Sequence, residues 1–234
     1  MAFSGRTVIV TGGTGALGVV AVRRFAALGA NIAIPLHSAQ ENSSLAERFK
    51  LEEQRLATRT TDLTNEQEVQ GFVQEVMRRF GRVDVLINAA GGYAGGTMIE
   101  ETPPDEVQRL FRLNTLSAFN MCSAVLPEMK KARYGRIINI ASMTAVHVQP
   151  NAGAYTISKR AVITLTEAIA AETRGKGITA NAVAPGTILT EANKAAMPSS
   201  DQSKWVTPDQ VVGVLLFLAS GESGVVSGSL IKIP

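Results

Sequence analysis

Cysteine and histidine are scarce in this chain of 234 residues, which contains one cysteine and two histidines. A single cysteine, Cys122, excludes an internal disulfide and a thiolate metal cluster. With only His37 and His147 present, a histidine-rich zinc site is not expected either. The sequence therefore predicts a function without a bound metal.

The sequence also lacks a large excess of charge of one sign and long apolar runs. Lys and Arg total 23 against 20 Asp and Glu, and the basic residues are scattered rather than gathered in a stripe. Such scatter does not indicate a nucleic-acid partner. No apolar run is long enough to cross a bilayer, and the amino terminus lacks the features of a secretory signal. The chain is expected to be soluble and cytoplasmic, with no membrane partner.

Short β-branched stretches alternate with longer amphipathic stretches along the chain. Strands this apolar must be covered on both faces, so the pattern predicts a doubly wound α/β fold of about seven parallel strands with helices on both faces. The length fits a single domain over residues 1–234. The predicted strands are Thr7–Thr11, Ile32–Leu36, Ala57–Thr61, Val83–Asn88, Arg136–Ala141, Thr179–Ala184 and Ser229–Ile233. The predicted helices are Ala16–Leu28, Ser44–Glu53, Glu66–Phe80, Pro104–Lys131 with a break near Asn114, Tyr155–Arg174 and Pro208–Ala219.

A glycine-rich segment joins the first predicted strand to the first helix. Glycines at positions 12, 15 and 18 let the backbone turn sharply and approach a phosphate closely. The helix that follows offers free N–H groups and the positive end of its dipole. In a sheet of this kind, ligands bind beyond the carboxyl ends of the strands. The segment therefore predicts a pyrophosphate site, although a glycine-rich loop alone would also suit a plain tight turn.

Six motifs, in the same order and spacing, resemble those of the short-chain dehydrogenase/reductase family over almost the whole chain. The matching residues are Thr11, Gly12, Ala16 and Gly18 in TGxxx(A/G)xG, residues 88–91 (Asn-Ala-Ala-Gly for Asn-Asn-Ala-Gly), Asn114, Ser142 in IxxSxxA, Tyr155 and Lys159 in YxxxK, and Pro185, Gly186 and Thr190. The resemblance implies a Rossmann-type fold with NADP or NAD as cofactor. It also implies hydride transfer between the nicotinamide and a small carbonyl or alcohol substrate.

The predicted catalytic residues combine a phenol, a cation and a hydroxyl. Tyr155 and Lys159 lie four residues apart, so a helix places them on one face. A nearby ammonium is expected to lower the pKa of Tyr155 from about 10, which suits a general acid and base. Ser142 is expected to hydrogen-bond the substrate oxygen. The resemblance implies that Lys159 also binds the nicotinamide ribose and that Asn114 helps to hold a proton-relaying water.

The resemblance also implies a set of cofactor contacts around the strand ends. They are Gly12, Thr14, Gly15, Ala16, Leu17, Gly18, His37, Ser38, Asp62, Leu63, Asn88, Ala89, Ala90, Gly91, Tyr155, Lys159, Pro185, Gly186, Ile188 and Thr190. Asp62 is expected at the adenine, and Ile188 and Thr190 at the nicotinamide carboxamide. Helix capping is the alternative for Asp62 and Thr190. Asn88 is expected to brace the sheet.

The choice between NADP and NAD is predicted from the end of the second strand. Residues 34–38, Ile-Pro-Leu-His-Ser, contain no acid that could accept a hydrogen bond from the ribose 2′-hydroxyl. His37 and Ser38 are able to donate to a 2′-phosphate, although no arginine stands there. NADP is therefore favoured, with an exposed loop histidine as the alternative for His37.

Substrate contacts are expected in the variable loops. The candidates are Tyr93, Ser142, Met143, His147, Leu189 and Met197, with residues 191–206 as a lid that orders over the substrate. Residues 91–96, GGYAGG, locally resemble dihydropteridine reductases, a branch that usually lacks the catalytic serine. A dinucleotide-binding sensor without catalysis is the other alternative. Relatives associate through the two long helices, so a homodimer or homotetramer is expected.

Overall fold

The computed structural model describes residues 2–42 and 45–234, and seven strands form its sheet. The strands are β1 (Thr7–Thr11), β2 (Asn31–Leu36), β3 (Leu56–Thr60), β4 (Val85–Asn88), β5 (Gly135–Ile140), β6 (Ile178–Pro185) and β7 (Leu230–Ile233). All neighbours pair in parallel, in the order β3-β2-β1-β4-β5-β6-β7. The winding reverses between β1 and β4, as in a doubly wound sheet. The predicted fold class is confirmed.

Helices cover both faces of the sheet. They are α1 (Ala16–Ala27), α2 (Leu45–Phe49), α3 (Glu66–Phe80), α4 (Pro104–Phe111), α5 (Ser117–Ala132), α6 (Gly153–Glu172), α7 (Glu191–Ala196) and α8 (Pro208–Ala219). Residues Arg112–Leu116 form a π-helical turn between α4 and α5. None of the helices in the described ranges is long and apolar enough to span a membrane.

Apolar cores on both faces of the sheet explain why the strands are hydrophobic at nearly every position. Successive strand residues point to opposite faces of the sheet, and both faces are covered. On one face, Val8 and Val10 belong to the core that contains Phe25 of α1. On the other face, Ile9 belongs to the core that contains Phe72 of α3. All of these side chains are buried.

The predicted strand bounds agree with the structure to within two residues, and the larger differences lie in the helices. Near Asn114, where a break was expected, a π-helical turn interrupts the α-helical hydrogen bonding while the helical backbone continues from Pro104 to Ala132. In place of the predicted helix 44–53, the structure has the much shorter α2. It ends before Lys50, because that residue adopts a left-handed φ of 50°. Ser44, where that helix was expected to begin, lies outside the described residues. Helix α7 lies in residues 191–206, the segment that was expected to form a lid.

We predict opposite effects of alanine at two glycines. An added Cβ at Gly18 would overlap the carbonyl oxygen of Gly12, whereas one at Gly213 on α8 meets nothing within 4 Å. Gly18→Ala is expected to lower the free energy of unfolding by roughly 1–3 kcal/mol. Gly213→Ala is expected to raise it by about 0.5–1 kcal/mol, through helix propensity. Chemical denaturation of both variants tests this, and equal stabilities would contradict the predicted crowding at Gly18.

Candidate active site

Two backbone segments meet at the point where the winding of the sheet reverses. Gly12, directly after β1, has a left-handed φ of 65°, which glycine adopts without strain. An added Cβ there would lie 3.0 Å from the backbone N and Cα of Ala90, just after β4. Thr11 joins the two segments, because its hydroxyl accepts hydrogen bonds from Ala89 N at 3.1 Å and Ala90 N at 3.0 Å. The carboxyl ends of β1 and β4 thus form a narrow, backbone-lined cradle.

The start of α1 fits a phosphate group. Its N-cap is Gly15, no side chain of the described ranges caps it, and its first turn has no acidic residue. Helices α3 and α8 are instead capped by Asn65 and Thr207. Free N–H groups at the positive end of a helix dipole attract an anion. The cradle and this helix start together suit the pyrophosphate of a dinucleotide.

Asn114 lies buried in the π-helical turn and joins three segments. Its side-chain amide donates to the Gly92 carbonyl and to the Ser158 hydroxyl, both at 3.0 Å. Its Oδ1 accepts from Gly92 N at 2.9 Å. An added Cβ at Gly91 would lie 2.5 Å from that Oδ1 and 3.1 Å from the Lys159 Nζ. A glycine at position 91 therefore lets both side chains approach the loop after β4.

Lys159 is a buried cation held by the end of β5. Its side chain is on α6, its relative exposure is 6%, and its Nζ donates to the Ile140 carbonyl at 2.9 Å. Because burial penalises the charged form, the pKa of Lys159 falls to about 8. The ammonium lies just before the loop that carries Ser142 and one helical turn beyond Tyr155.

Burial also governs the titration of Tyr155. It raises the pKa of the phenol above its ordinary value, a hydrogen bond with Ser142 lowers the pKa, and neighbouring Tyr93 raises it again. The prediction that Lys159 lowers this pKa is therefore wrong for this structure. The physical reason is that desolvation of the phenolate outweighs the polar neighbours, while Lys159 is itself buried against the Ile140 carbonyl.

Ser142 and Tyr93 complete the surroundings of the Tyr155 hydroxyl. Ser142 Oγ caps a short turn by accepting from Thr144 N at 3.2 Å, and it lies 2.9 Å from the Thr144 hydroxyl. The structural and the catalytic interpretation of Ser142 are therefore compatible. The Tyr93 ring meets the Tyr155 ring edge to face, with centroids 4.9 Å apart.

Asn88 connects two strands beneath the site. Its amide donates to Asn139 Oδ1 at 2.8 Å and to Cys122 Sγ at 3.4 Å. Asn139 continues the chain of hydrogen bonds to the Thr166 hydroxyl on α6 at 2.9 Å. Asn88 thus braces the sheet, as the sequence predicted. Complete burial raises the pKa of Cys122 to about 12, so this thiol is unreactive.

Asp62 and Thr190, for which helix capping was the alternative, behave differently. Asp62 Oδ1 accepts from the backbone and hydroxyl of Thr64, while Asn65 caps α3 in its place. Thr190 caps α7 by accepting from Asn193 N at 3.1 Å. The capping interpretation therefore holds for Thr190 and not for Asp62. Their cofactor contacts stay predictions.

The other predicted positions differ in how far solvent reaches them. Gly18 and Pro185 are buried in the fold. The half-buried ones are Thr14, Leu17, Ser38, Leu63, Ala89, Ala90, Met143, Gly186, Ile188, Leu189 and Met197. The exposed ones are Gly15, Ala16, His37, Gly91 and His147. Accessible positions on several loops are what contacts to a bound molecule require.

The sequence prediction missed Glu41. This residue lies in the short helical turn Ala39–Asn42 after β2. Its carboxylate accepts from His37 N at 2.8 Å and from the Thr14 hydroxyl at 3.2 Å. Glu41 lies beyond residues 34–38, from which the cofactor preference was predicted, and an acid after the second strand was the available signal.

Comparison with known proteins agrees with this geometry. A family model described as short chain dehydrogenase matches residues 6–201. The chain belongs to the short-chain dehydrogenase family. The family that the sequence motifs predicted is therefore confirmed, and with it the assignment as a dehydrogenase or reductase.

Individual members of the short-chain dehydrogenase family match nearly the full chain. The 7alpha-hydroxysteroid dehydrogenase of Escherichia coli (strain K12) is 31% identical over 239 residues, which cover 98% of this chain and 92% of that protein. A structure of ElxO with NADP bound has a TM-score of 0.92 and 28% identity, over 97% of this chain and 96% of that one. A structure of NAD+-bound xylitol dehydrogenase has a TM-score of 0.89 and 29% identity, over 100% and 99%. These neighbours agree with the prediction of NADP or NAD.

We predict that the phenol of Tyr155 ionises above the ordinary value of 10.0 in the purified protein. The measurement is an alkaline titration of the phenolate absorbance, taken as the difference between wild type and Tyr155→Phe. Ser142→Ala is expected to raise that pKa further, because it removes a hydrogen bond that favours the phenolate. A transition well below 10.0 would show that the ammonium of Lys159 dominates after all.

We also predict that Lys159 makes stability depend on pH. Its pKa of about 8 lies below the ordinary value of 10.5, so below pH 8 the folded protein carries the full cost of a buried charge. That cost decreases as the pH rises through this window, because the native state loses the proton first. Between pH 8 and pH 10.5, the free energy of unfolding of wild type should rise by roughly 1–3 kcal/mol relative to that of Lys159→Met. Denaturant unfolding of both proteins at several pH values tests this, and parallel stability curves would contradict it.

Proposed function

We propose that this protein is an NAD(P)-dependent oxidoreductase that transfers hydride between nicotinamide and a carbonyl or alcohol substrate, with Tyr155 as general acid and base. The observation that carries the proposal is the position of Tyr155: its ring lies against Tyr93 of the loop after β4, and Ser142 is close enough to lower its pKa, beside the backbone cradle. Lys159 and Asn114 meet at Gly91 on the same edge of the sheet. A proton donor is thereby combined with a dinucleotide-shaped site.

The cofactor would span the carboxyl edge of the sheet. The turn from Gly12 to Gly18 would hold the pyrophosphate, Asp62 and Leu63 the adenine, and Ile188 and Thr190 the carboxamide. The bound nicotinamide supplies the hydride for reduction and receives it in oxidation. Solved neighbours bind NADP in one case and NAD+ in another, which supports either dinucleotide here.

The proton step belongs to Tyr155 and Ser142. In carbonyl reduction, the Tyr155 hydroxyl donates its proton to the substrate oxygen as negative charge develops there. The Ser142 hydroxyl donates a hydrogen bond to the same oxygen and stabilises that charge. Because the pKa of Tyr155 is raised, the phenol stays protonated at neutral pH. This state suits reduction, and alcohol oxidation should gain rate as the pH rises.

Lys159 and Asn114 act beside the proton donor. A pKa of about 8 leaves most of the Lys159 amine protonated at neutral pH. This charge does not bring the pKa of Tyr155 below its ordinary value. We assign Lys159 the nicotinamide ribose, since its Nζ lies against Gly91. Asn114 keeps the loop at Gly92 in place through its hydrogen bonds. The relay water assigned to it stays a prediction.

Residues 191–206 would form a lid over the substrate. The segment is closed at its base, where Leu189 N donates to Val206 O at 2.8 Å and Val206 N donates to Thr187 O at 3.0 Å. Between these points lies α7, and most of the segment is exposed. Met197 of this lid would contact substrate, as would Leu189 at its base.

The remaining substrate contacts would come from the loops after β4 and β5. Tyr93, Met98 and Ile99 are exposed apolar residues, and Tyr93 lies against Tyr155. They favour a substrate with an apolar face. Met143 and His147 follow Ser142 on the opposite loop and would contact the same molecule.

Two alternatives are tested by the same assays. A dihydropteridine-reductase-like activity rests on the glycine-rich residues 91–96. A sensor without catalysis would need cofactor binding alone. The presence of Ser142 disfavours the first, because that branch usually lacks the serine. The presence of Ser142, Tyr155 and Lys159 together disfavours the second, because a sensor has no need to keep all three.

Self-association as a homodimer or homotetramer is part of the proposal. On these two long helices, Ala118, Met121 and Ile163 are buried in the core. Phe119 on α5 and Ile157 on α6 are instead each 52% exposed, which favours contact with a second copy. The cytoplasmic location and the lack of a nucleic-acid partner stay predictions from the sequence.

We predict that Tyr155→Phe lowers kcat for carbonyl reduction by about 10²–10⁴-fold, the usual contribution of a general acid. Cofactor affinity should be nearly unchanged, because the ring is retained. Turnover is followed at the reduced-nicotinamide absorbance with a panel of ketones, quinones, a dihydropterin and alcohols, and affinity by calorimetry.

Tyr134→Phe is the matched control for this loss. Tyr134 lies at the opposite edge of the sheet, where the guanidinium groups of Arg6 and Arg136 stack on its ring at 4.2 and 4.5 Å. Its turnover should equal that of wild type. Full activity in Tyr155→Phe would refute the role of the phenol. Tight cofactor binding by wild type without turnover of any substrate would favour the sensor.

A further inference from the structure

A carboxylate lies between the glycine-rich turn and the end of β2. Glu41 Oε2 accepts from the backbone N of His37 at 2.8 Å, and Oε1 accepts from the Thr14 hydroxyl at 3.2 Å. The Glu41 backbone N donates to Ser38 O at 3.2 Å. Both the backbone and the side chain of Glu41 are therefore fixed at the carboxyl edge of the sheet.

Glu41 lies where the adenosine end of a bound dinucleotide would lie. Strands β1 and β2 are neighbours, so the turn after β1 and the residues after β2 lie side by side. Lys159 and Ser142 follow the other half of the sheet, on the far side of the reversal point. With the nicotinamide at that half, the ribose of the adenosine faces the end of β2, where an acid is able to accept from its 2′-hydroxyl.

Glu41 gives a negative charge to the two segments that meet here. Neither residues 11–18 nor residues 37–42 contain a lysine or an arginine, and Glu41 is the acid among them. Asp62, exposed after the neighbouring β3, adds a second carboxylate to this edge. A free 2′-hydroxyl could donate to Glu41, whereas a 2′-phosphate would bring its own negative charge against it.

We propose that Glu41 is a specificity-determining residue that makes this site prefer NAD(H) over NADP(H). The inference rests on the proposed function, since it presumes that the site binds a nicotinamide dinucleotide. It reverses the preference predicted from residues 34–38, which contain no acid. The fold brings the carboxylate of Glu41, which comes later in the chain, back to His37 just after β2.

The test is a comparison of NADH and NADPH binding to wild type and Glu41→Gln, by calorimetry at low and at high salt. Wild type is expected to bind NADH at least about tenfold more tightly than NADPH at low salt, with a smaller difference at high salt. Glu41→Gln keeps an acceptor for His37 N but loses the charge. It should therefore bind NADPH more tightly than wild type, with little change for NADH.

Glu222→Gln serves as the matched control, because Glu222 is an exposed glutamate at the start of another short helical turn. It should leave the ratio of the two affinities unchanged. Equal or tighter binding of NADPH by wild type would overturn the inference, as would an unchanged ratio in Glu41→Gln. Failure of wild type to bind either dinucleotide would instead refute the proposed function on which the inference rests.

Discussion

The active edge of this protein depends on an ammonium group buried against a backbone carbonyl. Removing a cation from water is costly unless polar groups replace the water, and Ile140 O does so for Lys159. This contact ties α6 to the end of β5. The missing side chain at Gly91 then allows the amine and Asn114 to meet the loop after β4. Three segments far apart in the chain are thus held in one arrangement around a single charge.

The same burial acts in opposite directions on the two titratable groups of the site. It lowers the pKa of the Lys159 amine and raises that of the Tyr155 phenol, because each group loses water around its charged form. Hydrogen bonding by Ser142 opposes this effect on the phenol alone. The site therefore holds a protonated phenol beside an amine whose charge is easily lost. In this state the phenol carries the proton that the proposed reduction would transfer.

The reversal of the winding divides the sheet into two kinds of surface. The half formed by β1, β2 and β3 ends in glycines and carboxylates, which suit the phosphates and ribose of a nucleotide. The half formed by β4 to β7 ends in the polar side chains that suit proton transfer. Thr11 joins the halves through Ala89 and Ala90, and Asn88 joins β4 to β5. The proposed chemistry and the proposed nucleotide site would consequently share one support.

The sequence by itself determined whatever depends on local spacing and on hydrophobic pattern. The seven strands, the turn from Gly12 to Gly18, and the shared helix face of Tyr155 and Lys159 follow from neighbours in the chain. The tertiary structure decided what depends on burial and on distant partners. The direction of the Tyr155 pKa follows from desolvation, and Glu41 reaches Thr14 across 27 residues. Such effects arise only when separate segments pack together and exclude water, which no local pattern records.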